Sequence, residues 1–400
     1  MTEKTKGMAT GNIHTVAFED AFGSPNPPLY DTTTFKFGST QDLLDVIEGR
    51  RDGFLYTRYG MNPTIRNLEE KLANLDGAES SLIFSSGMAA LSSLFLSHGR
   101  RGIACIGDAY GGTLELLFSQ LPGLGIQTHK IRSDEIDRLD ALLSSGVGLV
   151  FFESPTNPRL EVINIQKISK IAHARNALVA VDNTFATPVN QRPLAHGADI
   201  VMQSATKYLG GHSDLTAGVL SADDRLLLPI RPWRKNLGQM IAPEIAHKLS
   251  RSLATLVVRV EKHNANAMAV AKYLHDHEMV GQVFYPGLPS SPNHVLAADQ
   301  MTGFGGMVSF EINAPARFSS AFIESLKVFS LAPSLGGVES LATQPVTTSH
   351  HDMTPDERMA CGISDTMIRL SVGIEDERDL ISDLDQALAK ASISCQGSNE

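Results

Sequence analysis

The sequence predicts an α/β protein: a large domain built on a mostly parallel sheet with helices on both faces, followed by a smaller α+β C-terminal domain. Three observations carry this. Short apolar runs read as buried strands at Ser81–Phe84, Ile103–Ile106, Gln127–Ile131, Val147–Phe152, Leu178–Val181 and Asp199–Met202, with helical stretches such as Asp134–Leu143 and Ile165–Ala174 between several of them. The polar, chemically loaded words of the chain fall at the ends of those runs, where ligands gather in open α/β sheets. Finally, 400 residues exceed one comfortable core, so two domains are expected.

Composition narrows the class. With 42% apolar and 20% charged residues the chain is an ordinary globular sequence. A net charge of −10 argues against a nucleic-acid partner and suits small-molecule chemistry. Cys105, Cys361 and Cys395 share no metal-ligand spacing and form no disulfide framework, so idle thiols and no metal are expected. No apolar stretch reaches membrane-spanning length, and Met1–Gly11 lacks the apolar centre of a signal peptide. A soluble cytoplasmic protein is the expectation.

Taken in order, residues 1–60 form an arm. Ser24-Pro-Asn-Pro-Pro28 and Thr32-Thr-Thr34 read as extended chain, and only Gln41–Arg51 has helical spacing, through Leu43, Leu44, Val46 and Ile47. An arm without its own core must pack on something, and a second subunit is the economical answer. Residues 61–257 form the α/β domain. Leu68, Leu72 and Leu75 make a helical stripe, and Ser85-Ser-Gly-Met-Ala-Ala-Leu91 opens a helix directly after the first strand. Amides at such an N-terminus point outward and can cradle a phosphate, although a small-residue turn is commonly no more than close packing. A long helix from Pro243 through Leu249, Leu253, Leu256, Val257 and Val260 toward Tyr273 leads into the C-terminal domain, 258–400. That domain has strands at Met307–Ile312 and Met367–Val372 and a last helix, Glu377–Lys390, with Leu380, Ile381, Leu384 and Leu388 on one face. Ser392–Glu400 is polar, and a frayed end is expected.

Four words sit at strand ends: Ser86-Gly-Met88, Tyr110-Gly-Gly-Thr113, Glu153-Ser-Pro-Thr-Asn157 and Asp182-Asn-Thr184. A fifth, Ser204-Ala-Thr-Lys-Tyr-Leu-Gly-Gly-His-Ser-Asp214, follows the apolar Ile200, Val201 and Met202. A lone lysine in a loop is ordinarily a solvated charge. Lys207, held at a strand end and desolvated, is instead a usable nucleophile, as a Schiff base with a carbonyl cofactor requires. A carboxylate that keeps a pyridine nitrogen protonated is its usual companion.

Ser204-Ala-Thr-Lys-Tyr, Gly211-His-Ser-Asp214 and Thr216-Ala-Gly218 resemble one group closely: the pyridoxal-phosphate enzymes of cysteine and methionine metabolism. That group includes cystathionine γ-synthase, cystathionine γ-lyase, methionine γ-lyase and O-acylhomoserine sulfhydrylases. The resemblance runs from about Pro28 to Lys390. It implies the aminotransferase-like architecture called fold type I and pyridoxal 5′-phosphate as cofactor. It further implies that Lys207 forms the Schiff base and shuttles protons, that Asp182 pairs with the pyridine nitrogen, and that Tyr110 stacks on the ring and protonates the leaving group. Ser86, Gly87, Met88, Ser204 and Thr206 are implied to hold the phosphate, and Asn157 to contact the phenolic oxygen. Arg369 is implied to clamp the substrate α-carboxylate, with Ser334 and Thr347–Ser349 lining the same pocket. Tyr56 and Arg58 are implied to reach a neighbouring subunit's cofactor phosphate in a homotetramer of active-site-sharing dimers. Met61 stands as an extra residue between Gly60 and Asn62. An inert protein that merely keeps the fold would have no need of both Lys207 and Asp182.

The substrate's far end is where the chain departs. Where cystathionine-handling relatives place an arginine, Leu114 and Glu115 follow the tyrosine-glycine-glycine-threonine word. Leu55 and Pro333 occupy places that those relatives often give to glutamate, and Gly112 replaces the cysteine usual in methionine γ-lyases. Glu115 has two readings: an acid placed by a helix dipole, or a contact for a cationic distal group. Under the second, a γ-oxygen leaving group with a guanidinium end fits, and the expected activity is canavanine γ-lyase, converting L-canavanine to homoserine and hydroxyguanidine. Replacement on an O-acylhomoserine by a thiol is the alternative, ahead of methionine or cystathionine γ-lyase chemistry.

Overall fold

The computed structural model describes residues 7–14, 22–348, 351 and 353–396. Ser349, the Cys395 side chain and both extreme ends of the chain lie outside the described residues.

Seven strands form the first sheet: β1 (Ser80–Phe84), β2 (Ile103–Ile106), β3 (Thr128–Ile131), β4 (Leu149–Glu153), β5 (Leu178–Asp182), β6 (Ile200–Gln203) and β7 (Gly218–Ala222). Their order is β1-β7-β6-β5-β4-β2-β3. From β6 to β3 every pairing is parallel, whereas β7 runs antiparallel to both β1 and β6. Both faces are covered, so successive residues of β4 enter different cores. Leu149 and Phe151 pack in one layer with Phe84, Leu94 and Met202; Val150 and Phe152 pack in the other with Ile165, Ile168 and Val181. That double burial is why the strands read as continuous apolar runs.

The helices start and stop on local signals. Helix α1 (Pro63–Asp76) is capped by the Asn62 side chain, carries Pro63 in its first turn and ends at Gly77 with φ +70°, and it buries Leu68, Leu72 and Leu75. Helix α2 (Gly87–His98) follows β1, and α3 (Gly111–Glu115) follows β2. Helix α4 (Ile165–His173) lies where the apolar periodicity predicts it. The stretch predicted as one helix over 134–143 is instead a 3-10 turn, Ile136–Arg138, running into a short α-helix, Leu139–Ser144.

The single long helix expected from Pro243 is two: α5 (Pro243–Leu253) and α6 (Leu256–Asp276). The buried Arg259 bridges the break. Its guanidinium donates to the carbonyls of Ser252 (3.0 Å) and Tyr208 (2.8 Å), and its Nε to Thr255 Oγ1 (3.2 Å). One cation thus ties the lysine loop to the connector, at a Ser252 carbonyl that also accepts from Thr255 N (3.2 Å) and Thr255 Oγ1 (3.1 Å). Beyond it, β8 (Val280–Phe284), β9 (Met307–Ile312), β10 (Ser330–Leu331), β11 (Leu341–Thr343) and β12 (Met367–Ser371) form a second sheet in the order β10-β11-β12-β9-β8. Helices α7 (Ala316–Ser325) and α8 (Glu377–Gln396) contribute Phe318, Phe322, Leu380, Leu384 and Leu388 to its core. The last helix therefore extends through the start of the stretch expected to fray.

Candidate active site

Because β1, β2, β4, β5 and β6 point the same way, their following loops share one edge of the sheet. At the end of β1, Ser86 caps α2 by accepting from Ala89 N (3.1 Å). Gly87 opens the helix against the lysine loop: a Cβ there would lie 3.0 Å from Ser204 Cβ and 3.1 Å from Met202 Cε. Gly218 of β7 permits this closeness, since a Cβ there would meet Ser86 O at 2.1 Å. Outward-facing amides of α2 and the Ser204 hydroxyl are thereby brought to one spot. The Thr206 hydroxyl is engaged with the Ala217 backbone, donating to its carbonyl (3.1 Å) and accepting from its amide (3.0 Å).

Lys207 is half-buried, and its Nζ donates to Ser334 Oγ at 2.9 Å. Burial first, and then the charge of Arg369, hold its ammonium pKa below the ordinary lysine value. Arg369 lies on β12 and is 8% exposed; its Nη1 donates to Asn157 Oδ1 (2.9 Å) and its Nη2 to Ser334 O (3.4 Å). Among the described residues no carboxylate lies within ion-pair distance of it, and burial lowers its pKa to about 10. A buried guanidinium without an anion is a site prepared for one. With Oδ1 committed to Arg369, Asn157 has its Nδ2 hydrogens left to donate.

Asp182 ends β5 and is buried. Both bonds to its carboxylate come from Thr184, through N (2.9 Å) and Oγ1 (2.5 Å), and both fall on Oδ1. Desolvation raises its pKa to about 6 against that help. Thr184 Oγ1 also accepts from Ser204 N (2.8 Å), so one hydroxyl links the acid to the lysine loop. Glu153, at the end of β4 and in register with Asp182, accepts from Tyr110 N at 2.6 Å. Burial, then the neighbouring Asp182, push its pKa well up. Thr184 and Glu153 were in the words at the strand ends, but nothing local marked them as the links between those words. The Tyr110 ring is exposed and lies over its own helix start, where a Cβ on Gly112 would come within 2.8 Å of Cε1.

The remaining residues are placed as follows. Tyr56 and Arg58 are exposed; Arg58 donates to Lys235 O (2.9 Å) and stacks against Tyr59, with its carbon Cζ 5.0 Å from the ring centre. Met61 is absorbed between Gly60, at φ +81°, and the capping Asn62. Thr347 and Thr348 donate to Gln344 O at 3.1 and 2.9 Å, which closes their own turn. Glu115 is exposed and accepts from Gln120 Nε2 (3.3 Å).

A desolvated lysine, an acid buried on the adjoining strand, a helix N-terminus opposed by a serine, and this seven-stranded sheet together define a fold-type-I pyridoxal-phosphate enzyme. The chain belongs to the Cys/Met metabolism PLP-dependent enzyme family, whose profile matches residues 9–389. It is 43% identical over 364 residues to cystathionine gamma-synthase 1, chloroplastic, of Arabidopsis thaliana, covering 90% of this chain and 64% of that protein's length. It is 43% identical over 369 residues to the cystathionine gamma-lyase of Homo sapiens, covering 91% of this chain and 89% of the relative. The crystal structure of cystathionine gamma synthase from Xanthomonas oryzae pv. oryzae in complex with cystathionine superposes with a TM-score of 0.91 at 37% identity, covering 97% of this chain and 99% of that one. Among the described residues no helix is long and apolar enough to cross a membrane, and no three His, Cys, Asp or Glu are grouped to hold a metal.

Pyridoxal 5′-phosphate, the family's cofactor, fits the residues present. The absence of a Cβ at Gly87 lets the start of α2 lie against the Ser204 hydroxyl, and amides and hydroxyl together suit a phosphate. Asp182 has Oδ2 free of the Thr184 bonds, and its raised pKa is what a buried acid shows without the cation it is built to meet.

Proposed function

We propose that the protein removes or replaces the γ-substituent of a homoserine-type amino acid, with L-canavanine as the substrate and homoserine plus hydroxyguanidine as the products. The observation that carries the choice is the position of Glu115. It stands three residues beyond Gly112 in α3 and is exposed, with its carboxylate accepting from Gln120 Nε2 (3.3 Å); in this reading it turns to meet a cationic distal group. A guanidinium there meets an acid rather than the arginine of cystathionine-handling relatives.

In this reading Arg369 binds the α-carboxylate and Ser334 orients the Lys207 amine, which moves protons off Cα and then Cβ before the γ-bond breaks and returns them after water has added at Cγ. Tyr110 Oη delivers a proton to the departing γ-oxygen, and water adds at Cγ. Asp182 holds the cofactor's ring nitrogen protonated, and Asn157, Ser86, Gly87, Met88, Ser204 and Thr206 hold the cofactor in place. When bound, the cofactor supplies the electron sink for the carbanion. Tyr56 and Arg58 serve a neighbouring subunit in a homotetramer, and the chain divides near residues 60 and 257.

The second reading is thiol-dependent replacement on an O-acylhomoserine, favoured by the likeness to named cystathionine gamma-synthases. A substrate panel separates the two. Homoserine release from canavanine, with a Glu115→Arg variant that raises its KM by roughly two- to fivefold, as an exposed ion pair allows, and keeps full cofactor loading, supports the first. Equal or faster turnover of O-succinylhomoserine with cysteine overturns it.

A further inference from the structure

One buried acid at the site has no part in the chemistry above. Glu153 closes β4 at 5% exposure, pairs in register with Asp182 on β5, and spends Oε1 on the backbone N–H of Tyr110 at 2.6 Å. Tyr110 is the N-cap of α3 and its side chain makes no capping bond, so the chain enters that helix held by Glu153. The ring it carries stands over Gly112, where an added Cβ would lie 2.8 Å from Cε1. We propose that Glu153 is a positioning residue, which pins the Tyr110 backbone to the sheet beside Asp182 through its reach as an acceptor and not through its charge. The surroundings agree. Burial, Asp182 and Asp108 oppose a second negative charge there, the Tyr110 N–H and the more distant Arg369 favour it but do not prevail, and no cation lies within ion-pair distance among the described residues. Two carboxylates at the ends of adjacent buried strands cannot both ionise cheaply, so a neutral Glu153 leaves the charge to Asp182.

The inference rests on the reading that the Tyr110 ring covers the cofactor, and its test separates the two. Glu153→Gln keeps the length and the acceptor but cannot ionise; Glu153→Asp keeps the carboxyl group but falls one methylene short. Hydrogen exchange of the full-length holoenzyme, followed in peptides spanning Gly107–Thr113, reads the Tyr110 amide independently of any substrate. We expect Glu153→Gln to match the parent in exchange and in kcat. In Glu153→Asp the amide exchanges, and kcat falls, by roughly tenfold or more, the effect of leaving one buried donor unpaired. A Glu153→Gln variant as impaired as Glu153→Asp, or a Tyr110 amide equally protected in Glu153→Asp, overturns the proposal. Normal exchange behaviour with no turnover of canavanine in the parent instead strikes the substrate reading and leaves this one standing.

Discussion

Replacing Gly87 by alanine separates binding of the cofactor phosphate from stability of the fold. Gly87 has an ordinary helical backbone, so alanine adopts it without strain and gains up to about 1 kcal/mol of helix propensity. The new methyl group would sit 3.0 Å from Ser204 Cβ and 3.1 Å from both Ser204 Oγ and Met202 Cε, so neighbours must give by a few tenths of an ångström. Met202 is fully packed, and Ser204 is held by its amide's bond to Thr184, so the overlap costs about 1–3 kcal/mol. The net effect on the cofactor-free protein is therefore a destabilisation of between about 0 and 3 kcal/mol, which thermal unfolding without cofactor reads separately. In the bound state the methyl group occupies the cradle and misaligns the Ser204 hydroxyl. Loss of one charge-assisted hydrogen bond is worth about 1.5–3 kcal/mol, or a roughly 10- to 150-fold weaker Kd for pyridoxal phosphate. The assay is a titration of the cofactor-free protein followed by its visible absorbance, alongside thermal unfolding with and without cofactor. Gly123→Ala is the control, since a Cβ there meets nothing within 4 Å. If Gly87→Ala binds pyridoxal phosphate as the parent does, the cradle is not at the start of α2, and the assignment of Ser86, Gly87, Met88 and Ser204 fails with it.

Two further outcomes follow from the same geometry. Asp182 titrates near 6 in the folded chain against 3.8 for an ordinary aspartate, so the native state holds the proton more tightly than the unfolded chain. Its contribution is fully present below about pH 4 and is lost as pH rises through about 6, so Asp182→Asn should flatten the fall in stability of the cofactor-free protein over that window; urea unfolding at several pH values checks it, and an unchanged slope refutes it. Gly112→Ala puts a methyl group 2.8 Å from Tyr110 Cε1 and forces the ring aside. Steady-state kinetics should show kcat reduced roughly 10- to 100-fold, part of what a positioned general acid supplies, while a parental kcat would remove Tyr110 from the proton-transfer step.

Much of the candidate site was legible because its signals are local. Ser86-Gly87 after an apolar run announces a helix N-terminus, Asp182 and Lys207 end apolar runs of their own, and Arg369 is conspicuous as a cation inside an apolar strand. Strand identity followed from double burial, which makes each run apolar without alternation. What local pattern could not reveal depends on distant partners. Strand β7 is five small or aliphatic residues opening on a glycine, and only its insertion between β1 and β6 makes it a strand. No Gly or Pro stands at Ala254–Thr255; there Thr255 N and Oγ1 turn back to Ser252 O, and Arg259 reaches across to Tyr208 and Ser252.

The types of residue at the site and the strand-and-loop rhythm that presents them were therefore determined by the sequence alone, since each depends on neighbours within a few positions. Which of those residues touch was decided by register and by the meeting of the two sheets: Glu153 beside Asp182 across β4 and β5, and Lys207 on Ser334 from the second sheet's side. Hydrogen bonds and desolvation act over a few ångströms in space, and more than a hundred residues of chain separate Lys207 from Ser334.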